Sequence, residues 1–218
     1  MHKFVKYATL SMSLAAATAA VAGDTSPSAW AWLHFVREGG VVVAPRSESR
    51  FDCPMRGKSV AWEARDTFNP AAATFGGELA VLYRAEDASG EGIGERTSRI
   101  GLALSSDGSS FRRLGKPVLF PGKGGAEVWD APGGCEDPRV CETLDGRYLM
   151  LYTMWNRKVP RLGVATSRDL IKWKKHGPAF SGRFRDLATK SASEVCERRG
   201  DSLVAAKIGG RYFTRTHA

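Results

Sequence analysis

The densest chemistry in the chain lies in Gly133-Gly134-Cys135-Glu136-Asp137-Pro138-Arg139. The two glycines let the backbone approach a neighbour closely. Pro138 predicts an extended conformation for Asp137, and side chains at a strand start alternate between faces. Asp137 is therefore expected to face a cavity while its neighbours Glu136 and Arg139 brace it. Cleaving a sugar–sugar bond requires one carboxyl group held protonated to donate to the leaving oxygen. Apolar or carboxylate neighbours raise a carboxyl pKa for that task. An Asp-Pro turn closed by a salt bridge to Arg139 would use the same residues without chemistry.

Two further clusters share this character. Thr67-Phe68-Asn69-Pro70 repeats the Asp137-Pro138 pattern with an amide in place of the acid, and an amide both donates to and accepts from hydroxyls. Leu82-Tyr83-Arg84-Ala85-Glu86-Asp87 ends an apolar run in an arginine and two acids. The planar fork of Arg84 suits vicinal hydroxyls or phosphate, and Arg99 in Ser98-Arg99-Ile100 adds a second guanidinium. The bland alternatives are an Asn-Pro turn and charges that pair with one another at strand ends.

Short apolar or alternating runs separated by Gly, Asp and Ser must position these residues. Runs 79–83, 100–104, 148–152 and 162–166 have strand length and turn residues at both ends. No amphipathic helix is evident, and the fold class is all-β. Residues 101–111 align without a gap on 163–173, with Ser105/Ser167, Asp107/Asp169 and Phe111/Trp173 in register. A multi-strand repeat of about 60–70 residues predicts β-propeller blades, whose first strands converge on a central funnel. A plain meander of hairpins is the alternative. Two blades and the opening strands of a third are visible, ending at Arg211-Tyr212-Phe213. A closed propeller needs at least about four, so either the sequence is truncated or a partner completes the ring. The tail after Phe213 does not read as a strand, and residues 23–60 show few clear elements.

Taken in order, Phe68-Asn69-Pro70, the run 82–87, Ser98-Arg99-Ile100-Gly101-Leu102-Ala103, Gly134-Cys135-Glu136-Asp137-Pro138-Arg139 and Ala165-Thr166-Ser167-Arg168-Asp169-Leu170 resemble the motif series of glycoside hydrolase family 130, the β-mannoside phosphorylases and related β-mannosidases. The resemblance runs from about Trp62 to Tyr212. It implies a five-bladed β-propeller, of which this chain covers about two to three blades, with Asp137 as general acid. It further implies that Asn69 and Arg84 hold the mannosyl group, with Arg99, Glu136 and Arg139 as further substrate-binding candidates. In the phosphorylases, inorganic phosphate is the co-substrate and attacks the anomeric carbon with inversion. Lys190 matches the first of the basic residues that bind it, and the next should fall near Arg215-Thr216-His217, where the expected basic residue is not cleanly present. No other cofactor is expected. Hydrolysis would instead need a second carboxylate as base, which the sequence does not name.

The N-terminus bears on that choice. Lys3 and Lys6, an uncharged apolar stretch from Ala8 to Ala22 and the small residues of Ala20-Val21-Ala22 form the layout of a cleavable secretory signal over 1–22. The stretch is shorter than the ~20 residues that span a bilayer. The expected organisation is a signal at 1–22, a lead-in segment at 23–60 and a partial propeller at 61–218, in a periplasmic or secreted protein. An exported phosphorylase would lose its sugar phosphate, which favours hydrolysis. A non-catalytic carbohydrate-binding propeller, or an inactive truncated one, is the competing class. The formal charge is +9, but basic residues are interspersed with acids. Hence nucleic acid is not an expected partner, an oligosaccharide is, and a homo-oligomer stays open. Cys53, Cys135, Cys141 and Cys196 allow three disulfide pairings. Without a CxxC pair no metal site is expected.

Overall fold

In the computed structural model, which describes residues 39–122, 127–200 and 202–217, the chain is built almost wholly of antiparallel strands. The expected signal at 1–22 lies outside the described residues. A hairpin of β1 (Arg46–Cys53) and β2 (Lys58–Glu63) comes first. It corrects the expectation of few elements before residue 60 and runs across the 60/61 boundary.

Two four-stranded meanders follow. The first blade is β3 (Asp66–Phe75), β4 (Glu78–Glu86), β5 (Ser98–Ser105) and β6 (Arg112–Arg113), each strand antiparallel to the one before. A single helical turn, α1 (Glu127–Asp130), precedes the second blade. That blade is β7 (Gly134–Thr143), β8 (Tyr148–Trp155), β9 (Pro160–Ser167) and β10 (Lys174–Pro178). A third, less regular set comprises β11 (Lys190–Glu194), β12 (Cys196–Arg199), β13 (Ser202–Ala205), β14 (Lys207–Ile208), β15 (Arg211–Tyr212) and β16 (Thr214–His217). The tail, expected not to form a strand, pairs as β16 with β11.

The sequence repeat has two physical causes. Ser105 and Ser167 donate to Asp107 and Asp169 at 3.0 Å in each case. Each carboxylate then accepts two backbone N–H groups and so closes the turn between the third and fourth strands. The second cause is Gly101 and Gly163, which stand opposite Tyr83 and Tyr152 across the sheet. A Cβ at Gly101 would come 2.3 Å from the Tyr83 ring, and one at Gly163 2.8 Å from the Tyr152 ring. Only glycine admits the tyrosine lying across it.

Alternation along the middle strands explains how the blades stack. Leu82 of β4, with Ile100 and Leu102 of β5, packs on Met150, Tyr152 and Met154 of β8 in one buried cluster. The opposite face of the first blade, through Tyr83, Ala85 and Ala103, covers Trp62 of the hairpin and Val43 just ahead of it. On the far side of the second blade, Leu149, Leu151 and Leu162 meet Ala205 and Ala192 of the third set. Both faces of each blade are thus buried, which is why β4 and β8 read as near-continuous apolar runs. The blades join at their inner ends, where Ser98 N–H donates to the Gly133 carbonyl at 2.8 Å. The four cysteines carry free thiols; Cys141 Sγ and Cys196 Sγ lie 3.3 Å apart.

Candidate active site

Each blade begins with the same irregularity. In β3 against β4, Phe68 pairs with Arg84 and Ala71 with Leu82, so Asn69 and Pro70 together face Tyr83 alone. In β7 against β8, Glu136 pairs with Thr153 and Arg139 with Leu151, so Asp137 and Pro138 face Tyr152 alone. Two residues opposite one is a β-bulge, which re-aims the side chains around it. Asn69 and Asp137 accordingly have φ of 46° and 49°, in the left-handed region that Asn and Asp tolerate best among non-glycine residues. This corrects the extended conformation expected for Asp137. It also corrects the simple alternation expected for its neighbours, because the bulge lets Glu136 and Asp137 reach the same partner.

That partner is Arg84. Its Nη1 donates to Asp137 Oδ1 at 3.1 Å, and its Nη2 reaches Glu86 Oε1 at 2.5 Å and Glu136 Oε1 at 2.9 Å. Nε donates to the Ser98 hydroxyl at 3.1 Å, and the guanidinium lies 4.6 Å over the Phe68 ring. Asn69 Nδ2 donates to the same Asp137 Oδ1 at 2.8 Å. Among the described residues no hydrogen bond occupies Asp137 Oδ2. One carboxylate oxygen is therefore fixed by two N–H donors, which sets the direction in which the other points.

The electrostatics follow from crowding three carboxyl groups around one cation. Burial opposes the Arg84 charge, yet Glu136, Asp137 and Glu86 outweigh it and hold the guanidinium above its usual pKa. Burial also pushes Glu136 up to about 7. Arg84 opposes that rise, and the neighbouring Asp137 and Glu86 reinforce it. Glu136 thus exchanges a proton near neutrality, next to Asp137 on the same guanidinium.

Sequence reading missed two members of the cluster. Glu86 is fully buried, with Oε1 on Arg84 and Oε2 on Arg96 Nη1 at 3.1 Å; Arg96 continues to Asp66 at the rim. Ser98 bridges Arg84, Glu86 and Glu136 within 3.3 Å. The signal for Glu86 was present, since residues i and i+2 of a strand share a face.

Of the candidates, Asp137, Asn69, Arg84 and Glu136 are brought together. Arg99 is not. It follows Ser98 on the strand and therefore points to the opposite face, where it is fully buried against Asp87 Oδ2 at 3.0 Å and Cys53 Sγ at 3.4 Å. Arg139 lies beyond the bulge and turns from the cluster. Its Nη1 donates to the Pro138 carbonyl, and its charge acts on Glu194, whose carboxyl burial pushes up to about 7. Lys190 is exposed on β11. No metal-binding cluster occurs among the described residues.

The arrangement gathers three carboxyl groups and an amide around one guanidinium, a set of donors and acceptors that suits hydroxyl recognition. The family model described as beta-1,4-mannooligosaccharide phosphorylase matches residues 42–217. A 1,2-beta-oligomannan phosphorylase of Thermoanaerobacter sp. (strain X514) is 35% identical over 69% of this chain and 46% of its own length. A beta-1,2-mannobiose phosphorylase of the same strain is 32% identical over 71% of this chain and 48% of its own length. The chain spans about half the length of these curated relatives. Among solved structures, a glycosyl hydrolase from Bacteroides ovatus is 51% identical, with TM-score 0.76 over 79% of this chain and 50% of that one. A chain from work on hydrolases that target beta-1,2 mannosidic linkages in Candida mannan is 50% identical, with TM-score 0.76 over 79% of this chain and 49% of that one.

Proposed function

From the premise that this chain belongs to glycoside hydrolase family 130, a family of five-bladed β-propellers, we propose that it cleaves β-mannosidic bonds in oligosaccharides with Asp137 as general acid. The observation that carries this reading is the double fixation of Asp137 Oδ1 by Asn69 and Arg84, which leaves Oδ2 to protonate the leaving oxygen. Asn69 and Arg84, with donors already aimed at the same point, hold hydroxyls of the mannosyl group. Arg84 is itself held by Glu86 and Ser98. Its fork cannot swing away when a substrate arrives, and such preorganisation is what makes a fixed charge effective.

The leading reading of the acceptor is inorganic phosphate, giving a mannosyl phosphate with inversion. It is supported by the family description and by both curated relatives, which are phosphorylases. Those relatives also support a β-1,2 linkage in the substrate. Water is the second reading, favoured by the higher identity to chains described as glycosyl hydrolases. Export, which the charge and apolar order of residues 1–22 supports, fits water better, because a sugar phosphate made outside the cell is lost.

One assay decides among these. The full chain is incubated with β-1,2-mannobiose with and without phosphate. Mannose 1-phosphate formed only when phosphate is present supports phosphorolysis. Free mannose alone, formed equally in both, transfers the reading to hydrolysis. No product in either condition contradicts the proposed activity.

A further inference from the structure

The bulge that aims Asn69 and Asp137 occurs a third time. In β11 against β16, Lys190 pairs with His217 and Ser193 with Arg215, so Ser191 and Ala192 together face Thr216 alone. Ser191 has φ of 55°, beside 46° for Asn69 and 49° for Asp137. These are three of the five non-glycine residues with positive φ among those described, and each is the first of the two bulge residues in the first strand of its blade. A serine in the left-handed region is uncommon and carries a conformational cost. Here it is the price of a geometry that recurs at each blade entrance.

The junctions between blades are also bonded at equivalent third-strand heads, with donor and acceptor exchanged. Ser98 N–H, at the head of β5, donates to the Gly133 carbonyl ahead of β7. One blade later Thr189 N–H, just ahead of β11, donates to the carbonyl of Pro160 at the head of β9. Ser98 and Pro160 are equivalent at the 62-residue offset of the third strands. The Thr189 hydroxyl also accepts from Leu162 N–H at 3.1 Å, which pins the new strand to the second blade. Ala192, the other bulge residue, is buried where Pro70 and Pro138 stand in the first two blades. Ser191 itself is exposed. It thus occupies the place of Asn69 and Asp137, and Lys190 that of Phe68 and Glu136.

We propose that Ser191 is a substrate-contacting residue that binds a hydroxyl of the leaving sugar, on the side of Asp137 away from Asn69. The placement argues for this side. Blades follow one another around the axis, so Asp137 lies between the residue of the first blade and that of the third. Asn69 and Arg84 belong to the first blade and take the mannosyl group. The acid sits at the bond to be broken, and the third blade therefore faces what lies beyond that bond. A serine hydroxyl both donates and accepts there without competing for the proton. The inference rests on the proposed function.

The test uses the full chain in the Asp137→Asn background, which stops turnover, and measures binding of mannose and of β-1,2-mannobiose by calorimetry. Removing one neutral hydrogen bond costs about 3- to 10-fold in affinity. Ser191→Ala should weaken mannobiose by about that factor and leave mannose within about twofold. Ser191→Gly accepts the left-handed backbone without strain, so it should show the same selective loss, and it controls for misfolding of the alanine variant. Asn69→Ala should weaken both sugars. Equal weakening of both sugars by Ser191→Gly, or of neither, overturns the assignment of Ser191. Failure of the background protein to bind either sugar would instead count against the proposed function itself.

Discussion

Asn69 Nδ2 donates to Asp137 Oδ1 at 2.8 Å, joining the bulge residues of two consecutive blades across 68 positions of sequence. The bond exists because each blade opens with the same left-handed residue, so that one blade supplies the amide and the next the acid. Asn69 therefore has two separable duties, to hold this backbone shape and to orient the acid.

Asn69→Gly separates them. Glycine keeps the left-handed backbone, so the thermal midpoint should stay within a few degrees of the parent. Loss of the amide should lower kcat/KM about 10- to 100-fold, because a misaimed acid loses part of its catalytic contribution. Asn69→Val should add a loss of about 1–2 kcal/mol of stability, since a branched side chain is strained in that region. Denaturant unfolding of both variants checks the difference.

Arg84 holds three carboxyl groups, and each variant at this position tests a different property. Arg84→Lys keeps the charge but loses the fork, and kcat/KM should drop by at least about 100-fold. Arg84→Met leaves Glu86, Glu136 and Asp137 without their shared cation. A loss of about 3–5 kcal/mol is expected for uncompensated buried charge, read as a lower denaturation midpoint at neutral pH.

Glu136 makes stability depend on pH in a definite direction. Its carboxyl titrates near 4.5 when free and near 7 when folded, so between these values the native state holds the extra proton. Stability should therefore be highest below about pH 4.5 as far as this group is concerned. It should fall as pH rises through 7 by roughly 3 kcal/mol in all, since each pH unit separating the two values is worth about 1.4 kcal/mol. Glu136→Gln should flatten that fall and be more stable than the parent at pH 8. Equal pH dependence of unfolding in parent and variant would contradict a Glu136 that holds its proton to neutrality.

Gly134 tests the junction of the blades. It has φ of 122°, and a Cβ there would lie 2.1 Å from the Ser98 carbonyl oxygen and 2.5 Å from its nitrogen, both backbone atoms that cannot swing aside. Gly134→Ala should cost at least about 3 kcal/mol through strain and clash. It should also impair activity, because Ser98 is the hydroxyl that steadies Arg84. Gly146→Ala, a left-handed glycine with no atom near its missing Cβ, serves as the control and should cost about 1 kcal/mol.

How much of this was legible in the sequence depends on which physical rule governed each residue. The blades were legible because the turn chemistry at Asp107 and Asp169 and the glycines Gly101 and Gly163 repeat in type as well as position. The convergence of Asn69, Arg84 and Asp137 followed from blade geometry. The bulge was not legible, because the rule for residues before proline points to extended backbone, and a two-against-one register appears only once the partner strand is placed. The same gap hid Ser191, whose bulge lacks a proline altogether. Arg99 was misplaced although alternation from Ser98 already put it on the other face, and Glu86 was missed although alternation from Arg84 put it on the same one.

The central claim is that Asp137 protonates the leaving oxygen, and a comparison of leaving groups tests it most directly. Turnover of β-1,2-mannobiose and of 2,4-dinitrophenyl β-mannoside is measured for the parent and for Asp137→Asn, under whichever acceptor the parent uses. Mannose is a poor leaving group that needs a proton, and dinitrophenolate needs none. The variant should lose about 100- to 10,000-fold on mannobiose and less than about tenfold on the aryl mannoside. Unchanged turnover of mannobiose, or an equal loss on both substrates, would contradict the assignment.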